Sequence, residues 1–248
     1  MSVDAPVLES VIASPESDES LLAPVEIDYE QFVTEDDAPV DNLFSEREQR
    51  LLAESLYVSW KGPGGGRPFL AMTNVGLFFA LTEPPYAPDV LVSLDVRPPD
   101  NPFPKKNRSY FVWEYGKPPD IVVEIVSNRK GGELSDKLAG YVRIGTPYYI
   151  VHDPEHLLSD RTLYVFERRG LEYAEISPEN LPGIGLGVTL WDGVYEDMQG
   201  MWLRWIDTRG ELLLTGKERA EQERQRADAL AAKLRELGID PNQVIVGD

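Results

Sequence analysis

Three side chains in this sequence have the types and order that metal-assisted phosphodiester hydrolysis needs: Asp89, Glu124 and Lys137. Glu124 interrupts the apolar run Ile121-Val-Val-Glu-Ile-Val126, and such runs mark strands buried on both faces. On strand parity Ile121, Val123 and Ile125 share one face, and Val122, Glu124 and Val126 share the other. An ionised carboxylate there costs on the order of several kcal/mol unless it is paired or binds a cation. Pro88-Asp89-Val-Leu-Val92 echoes Pro119-Asp120-Ile-Val-Val123 and offers a second carboxylate from a neighbouring strand. Two such acids hold a hard Mg2+ or Mn2+ ion through oxygen. The ion activates water and stabilises charge on phosphate, and a lysine orients the water or neutralises the scissile group. The competing reading of Glu124 is a structural salt bridge.

The elements that must position these residues follow from periodicity. Strands are expected at Phe69–Met72, Leu77–Leu81, Val90–Leu94, Ser109–Tyr115, Ile121–Val126, Tyr148–His152, Leu163–Glu167 and Leu171–Ile176. A helix over about Leu134–Ile144, stopped by Gly145 and Pro147, links two of them into a βαβ-like unit. Its apolar stripe is Leu134, Leu138, Tyr141 and Val142, with Lys137 at i+3 from Leu134 and i−4 from Tyr141. A lysine so placed can reach Glu124, although lysines at the edge of a stripe commonly extend to water. The capping-box pattern Ser45-x-x-Glu48 starts an earlier helix over about Glu46–Trp60, which ends at Gly62-Pro-Gly-Gly-Gly66. That glycine run lacks a following Gly-Lys-Ser/Thr and reads as a turn. More strand-like material lies at Val188–Trp191 and Met201–Ile206, and a charged helix at Lys217–Leu237. The class is a mixed α/β sheet flanked by helices.

With those residues in place, the stretch from about Ser45 to Leu190 resembles the Uma-two family of endonucleases, within the PD-(D/E)xK restriction-endonuclease-like superfamily. The carriers are Pro88-Asp89-Val90, Pro119-Asp-Ile-Val-Val-Glu-Ile-Val-Ser127, Asp136-Lys137-Leu138 with Tyr141, and Gly145-Thr-Pro-Tyr-Tyr-Ile-Val-His-Asp-Pro154. The resemblance implies a restriction-endonuclease-like fold, Asp89 and Glu124 as metal ligands, Mg2+ or Mn2+ as cofactor, and DNA as substrate. It makes Lys137 the lysine that has moved from strand to helix, because Val126 occupies the strand position of the superfamily's Glu-x-Lys. It also implies a further acid on the first helix, for which Glu46 and Glu54 are candidates. Asp120 shares the parity of Glu124 but lies about 13 Å along the strand, so it reads as a residue at the strand's start.

Charge and composition limit the remaining classes. The 248 residues contain no cysteine, which excludes disulfides, thiolate zinc sites and cysteine nucleophiles. No apolar run is long enough for a spanning helix, and the expectation is a soluble, cytoplasmic protein. The net charge is −19, of which residues 1–44 carry twelve acids and no base. That segment reads as a disordered acidic tail, preceding a domain over 45–210 and a helical segment over 211–248. It either solubilises the chain or competes for its basic window. Arg97 to Arg143 reverses the balance with nine Lys/Arg against six Asp/Glu, and Lys105, Lys106, Arg108, Arg129 and Lys130 are candidate phosphate contacts. His152 and His156 read as surface or turn residues, since Asp153-Pro154 breaks any shared helix face. Trp191, Trp202 and Trp205 read as packing residues. Ala220, Ala227, Leu230, Leu234 and Leu237 suggest a short coiled coil and a homodimer, or else a helix folded back on its own domain. A catalytically inactive scaffold that assembles through this helix is the second functional reading.

Overall fold

The computed structural model describes residues 27–34, 42–64, 66–128 and 132–241. Within residues 27–32, Tyr29–Gln31 form one 3-10 turn, and the Asp28 carboxylate accepts from the Glu30 N–H. The rest of the acidic segment before Asn42, apart from residues 33–34, lies outside the described residues, as do Arg129 and Lys130.

From Asn42 onward, the first helix, α1, spans Leu43–Ser59. It starts earlier than the capping-box pattern suggests. Asn42 is the cap, its side-chain oxygen accepting from the N–H groups of Phe44 and Ser45, so Ser45 is a buried position inside the first turn. The glycine run after α1 is a turn: Gly62 has φ +83°, and a Cβ there would meet the Arg67 carbonyl oxygen at 2.3 Å.

Among the described residues ten strands follow: β1 Phe69–Thr73, β2 Leu77–Phe78, β3 Val90–Leu94, β4 Tyr110–Phe111, β5 Ile121–Ile125, β6 Tyr148–His152, β7 Leu163–Arg169, β8 Glu172–Glu175, β9 Gly187–Tyr195 and β10 Met198–Ile206. The segment expected as one strand over Ser109–Tyr115 is the two-residue β4 followed by a single helical turn, α2, Val112–Tyr115. Its aromatic content favours a strand, but Gly116 at φ +73° closes the turn in a left-handed conformation. The main sheet has the order β1-β3-β5-β6-β7-β8. Its β5–β6 pair is parallel and is joined by α3, Asp136–Ile144, so the βαβ unit forms as expected; the other four pairs are antiparallel. β2 and β4 pair in parallel, and β9 and β10 form a long antiparallel hairpin.

The parity of the central strands divides the core. Ile121 and Val123 pack with Val90, Val92, Leu52 and Leu56 of α1, and Leu203 and Trp205 of β10. Val122 and Val126 pack on the other side with Leu91, Tyr141, Ile144, Tyr149 and Leu138. Thus α1 and the hairpin cover one face, and α3 covers the face that carries Glu124. Trp202 and Trp205 are fully buried, and the Arg204 guanidinium lies over the Trp191 ring.

The last helix, α4, spans Gly216–Glu236. Its first turn is anchored: Thr215 and Glu218 form a reciprocal capping box, and Arg204, itself buried, donates to both Glu218 oxygens at 3.0 and 2.8 Å. Arg219 donates to the Val58 carbonyl, and the Gly216 N–H donates to Glu54. Beyond that turn no residue of α4 is buried. Aligned on the row Ala220, Ala227, Leu230, Leu234 and Leu237, the flanking e and g positions hold Lys217, Arg219, Arg224, Arg226, Ala231 and Lys233. Burial alone would raise the Glu218 carboxyl, but the Arg204 guanidinium and the Thr215 donors outweigh it and hold it below the ordinary value of 4.5. The stability it contributes is therefore present above that value and lost as pH falls through the depressed one. Glu218→Gln is expected to unfold at lower urea than wild type at neutral pH and to converge with it in acid; a gap that persists in acid would assign the anchor to shape alone.

Candidate active site

Continuing the β3–β5 register, in which Val90 pairs with Val123 and Leu91 with Val122, sets Asp89 opposite Glu124. Asp89 sits where β3 begins. Its backbone carbonyl accepts from the Asn74 N–H, its Oδ2 accepts from the Ile125 N–H at 2.6 Å, and its Oδ1 accepts from Gln49 Nε2 of α1 at 2.7 Å. The carboxylate therefore bridges the end of β5 and the first helix. Both acids are buried, Asp89 at 7% and Glu124 at 2% exposure.

Glu124 points into the face covered by α3. Lys137 Nζ lies 2.8 Å from its Oε2, and the Tyr141 hydroxyl donates to its Oε1 at 2.6 Å. Both donors lie one helical turn apart on α3, so the helix that completes the βαβ unit brings them to one carboxylate. The same ammonium lies 3.3 Å from Oε1 of Glu133, a buried acid just before α3. Tyr149 of β6 donates to the Glu133 carbonyl at 3.0 Å and so pins that segment. Burial pushes the Glu124 carboxyl above its ordinary value, with Lys137 and Tyr141 pulling the other way. Burial alone would lower Lys137, but the charge and hydrogen bond of Glu124, with Glu133 behind, outweigh it and keep the ammonium charged. Burial first, then the Glu124 charge, drives the Tyr141 hydroxyl well above its ordinary range, so it stays a protonated donor.

Close approach of the segment before β3 to α3 depends on Gly140. A Cβ there would lie 2.1 Å from the Tyr86 hydroxyl and 2.5 Å from its Cζ. Tyr86 in turn packs its ring against Tyr141, the centroids 5.1 Å apart. The absent side chain thus lets the segment that leads to Asp89 lie against the helix that carries Lys137.

The structure brings Asp89, Glu124 and Lys137 together: Asp89 lies across the β3–β5 pairing from Glu124, and Glu124 is paired with Lys137. Asp120 does mark the start of β5, accepting from the Leu94 N–H and from Lys117. Two expectations need correction. Neither first-helix candidate belongs to the site: Glu46 pairs with Arg50, and Glu54 accepts from the Gly216 N–H and the Tyr195 hydroxyl. The side chain that α1 does bring to Asp89 is Gln49, for which spacing gave no signal. Nor is His152 at the surface. It is fully buried, its Nδ1 3.0 Å from the equally buried Glu48, because the last position of β6 lies beneath α1. Glu133 also joins the group, and its i,i+4 spacing to Lys137 is the sign of it that the sequence carries. Lys106 pairs with Glu114 at 3.6 Å, and Arg108 donates to the Phe103 carbonyl.

The donor set fits a hard divalent cation. Two adjacent carboxylates are held in fixed orientations, Asp89 by neutral donors and Glu124 by the Tyr141 hydroxyl and the Lys137 ammonium, and Asp89, Glu124 and Glu133 outnumber that one ammonium. Among the described residues no group of three or more Asp, Glu or His side chains is spaced to enclose an ion. Mg2+ is commonly held by one or two carboxylates, with water and substrate phosphate completing its shell.

A family model described as Uma2, putative restriction endonuclease, matches residues 35–188, a span that contains all three side chains. Among solved structures, a putative nuclease belonging to DUF820 from Anabaena variabilis matches at 17% identity with a TM-score of 0.40, covering 58% of this chain and 73% of the other. No curated protein matches.

Removing one partner of a buried ion pair strands the other. Lys137→Met is therefore expected to cost up to about 3 kcal/mol in urea unfolding, the lower end for buried pairs because the lysine keeps part of its length in solvent. Gly140→Ala is expected to cost about 1–3 kcal/mol through displacement of the Tyr86 ring. An unchanged midpoint in either variant would show that the contact is dispensable.

Proposed function

The chain belongs to the Uma2 family, whose description is putative restriction endonuclease, and from that premise we propose that it is a metal-dependent endonuclease hydrolysing phosphodiester bonds of DNA. One observation carries the reading: the helix-borne Lys137 ammonium lies 2.8 Å from the buried Glu124 carboxylate, beside Asp89. The strand position that a lysine would take in the superfamily's pattern is Val126, which is buried among apolar neighbours. Lys137 supplies the same charge from α3.

In this reading Asp89 and Glu124 are the ligands of Mg2+ or Mn2+. The ion, when bound, acidifies a water and stabilises charge on the phosphate. Gln49 and the Ile125 N–H fix the aim of Asp89, and Tyr141 fixes Glu124. Lys137 offers its protons to the attacking water or a phosphate oxygen, and the apolar wall of Val122, Val126 and Tyr149 keeps these charges in a weakly screened environment. Lys105, Lys106 and Arg108 are proposed as contacts to flanking phosphates, since affinity for DNA comes mainly from such cations. A second copy of this chain is the proposed partner, because duplex cleavage often uses two active sites.

Plasmid cleavage is expected with Mg2+ or Mn2+ and not with EDTA. Asp89→Ala and Glu124→Ala are each expected to lose roughly a thousandfold, as removal of several kcal/mol of metal-derived stabilisation implies. Wild type and Glu124→Ala equally inactive across metals and substrates would end the nuclease reading. A chain that binds no metal and self-associates only with residues 217–237 present would favour the scaffold.

A further inference from the structure

Glu133, just before α3, is a buried acid beside the Lys137 ammonium. Its side chain is only 5% exposed. One oxygen lies 3.3 Å from Lys137 Nζ, and the other, Oε2, is buried with no hydrogen-bond partner among the described residues. A carboxylate oxygen in that condition is costly to retain. Its backbone is also tied down, through the Tyr149 hydroxyl, so the acid is held within 3.3 Å of an ammonium whose closer contact, at 2.8 Å, is with Glu124.

We propose that Glu133 is a positioning residue that receives the Lys137 ammonium when a divalent cation takes the Glu124 carboxylate. This rests on the reading of Asp89 and Glu124 as cation ligands and deepens it. An ammonium and a divalent ion on one carboxylate repel each other strongly in a low-dielectric setting. Lys137 must yield its hold on Glu124 for the ion to bind there. Glu133 provides an acceptor already within reach, with an open oxygen, so a small rotation at the end of the lysine chain re-pairs the charge without sending it to solvent. The lysine then remains beside the site, no longer neutralising Glu124, and free to hydrogen-bond a water or phosphate. No bond is made or broken; one ion pair exchanges for another.

The test is a double-mutant cycle read by calorimetric titration of the full chain with Mn2+. Glu133→Gln keeps the shape and removes the charge. It is expected to weaken Mn2+ binding roughly tenfold in the wild-type background, a coupling within the range for groups in contact. In a Lys137→Met background the same change is expected to alter affinity less than about twofold, because no ammonium remains to be received. Lys137→Gln, which keeps a neutral donor to Glu124, is the second background should Lys137→Met unfold. An equal loss in both backgrounds would overturn the proposal by making Glu133 act on the cation directly. No loss in the wild-type background would also overturn it, as would a wild type that binds no Mn2+. Plasmid cleavage, run in parallel, separates the two ideas: tight Mn2+ binding and a coupled cycle without cleavage would sink the endonuclease and leave the exchange of ion pairs standing.

Discussion

A single carboxylate in the middle of an apolar strand organises this molecule. Glu124 is enclosed by the sheet on one side and α3 on the other, with only 2% of its surface exposed. Its charge must therefore be met by the protein itself. Lys137 and Tyr141 do so from successive turns of one helix, which fixes both the rotation of α3 and its height over the strand. A helix turned by one residue would present neither donor. The electrostatic need of one side chain thus defines the geometry of the βαβ unit.

The neighbouring acid is fixed from the opposite side. Asp89 draws a backbone donor from β5 and an amide from α1, so the helix covering the other face also reaches the site. Next to Gln49 on the same helix, Glu48 is buried against His152 and accepts from the Leu203 N–H of β10. α1 is therefore locked to the hairpin through one residue and to the site through the next. Gly140 and Tyr86 perform the matching task on the α3 side.

Local pattern revealed what depends on local pattern. Glu124 was legible because parity places it among valines and isoleucines, and Lys137 because it lies within a helical stripe. β3 and β6 were legible at their observed bounds, as compact β-branched or aromatic runs bounded by turn residues. Less legible were features decided by contacts far apart in the chain. Gln49 meets Asp89 across forty residues, and an amide on a helix carries no mark of its partner. His152 ends an apolar strand next to Asp-Pro, which suggests a turn, yet α1 supplies Glu48 above it. Ser45 fits a capping box, but Asn42 caps first, and the apolar Phe44 is already helical. β4 fails for another reason: Trp113 and Tyr115 suit a strand, but the left-handed Gly116 closes the segment into a helical turn.

The cations flanking the apolar row of α4 carry a consequence for assembly. In a parallel pair Arg219 would face Arg224 of the other copy; in an antiparallel pair Lys217 and Arg224 meet their own kind, as do Arg219, Arg226 and Lys233. Like charges then oppose zipping in both orientations. Added electrolyte would shield them, so any twinning of the chain along this helix should tighten in brine and loosen in dilute buffer, the reverse of a zipper held by opposite charges.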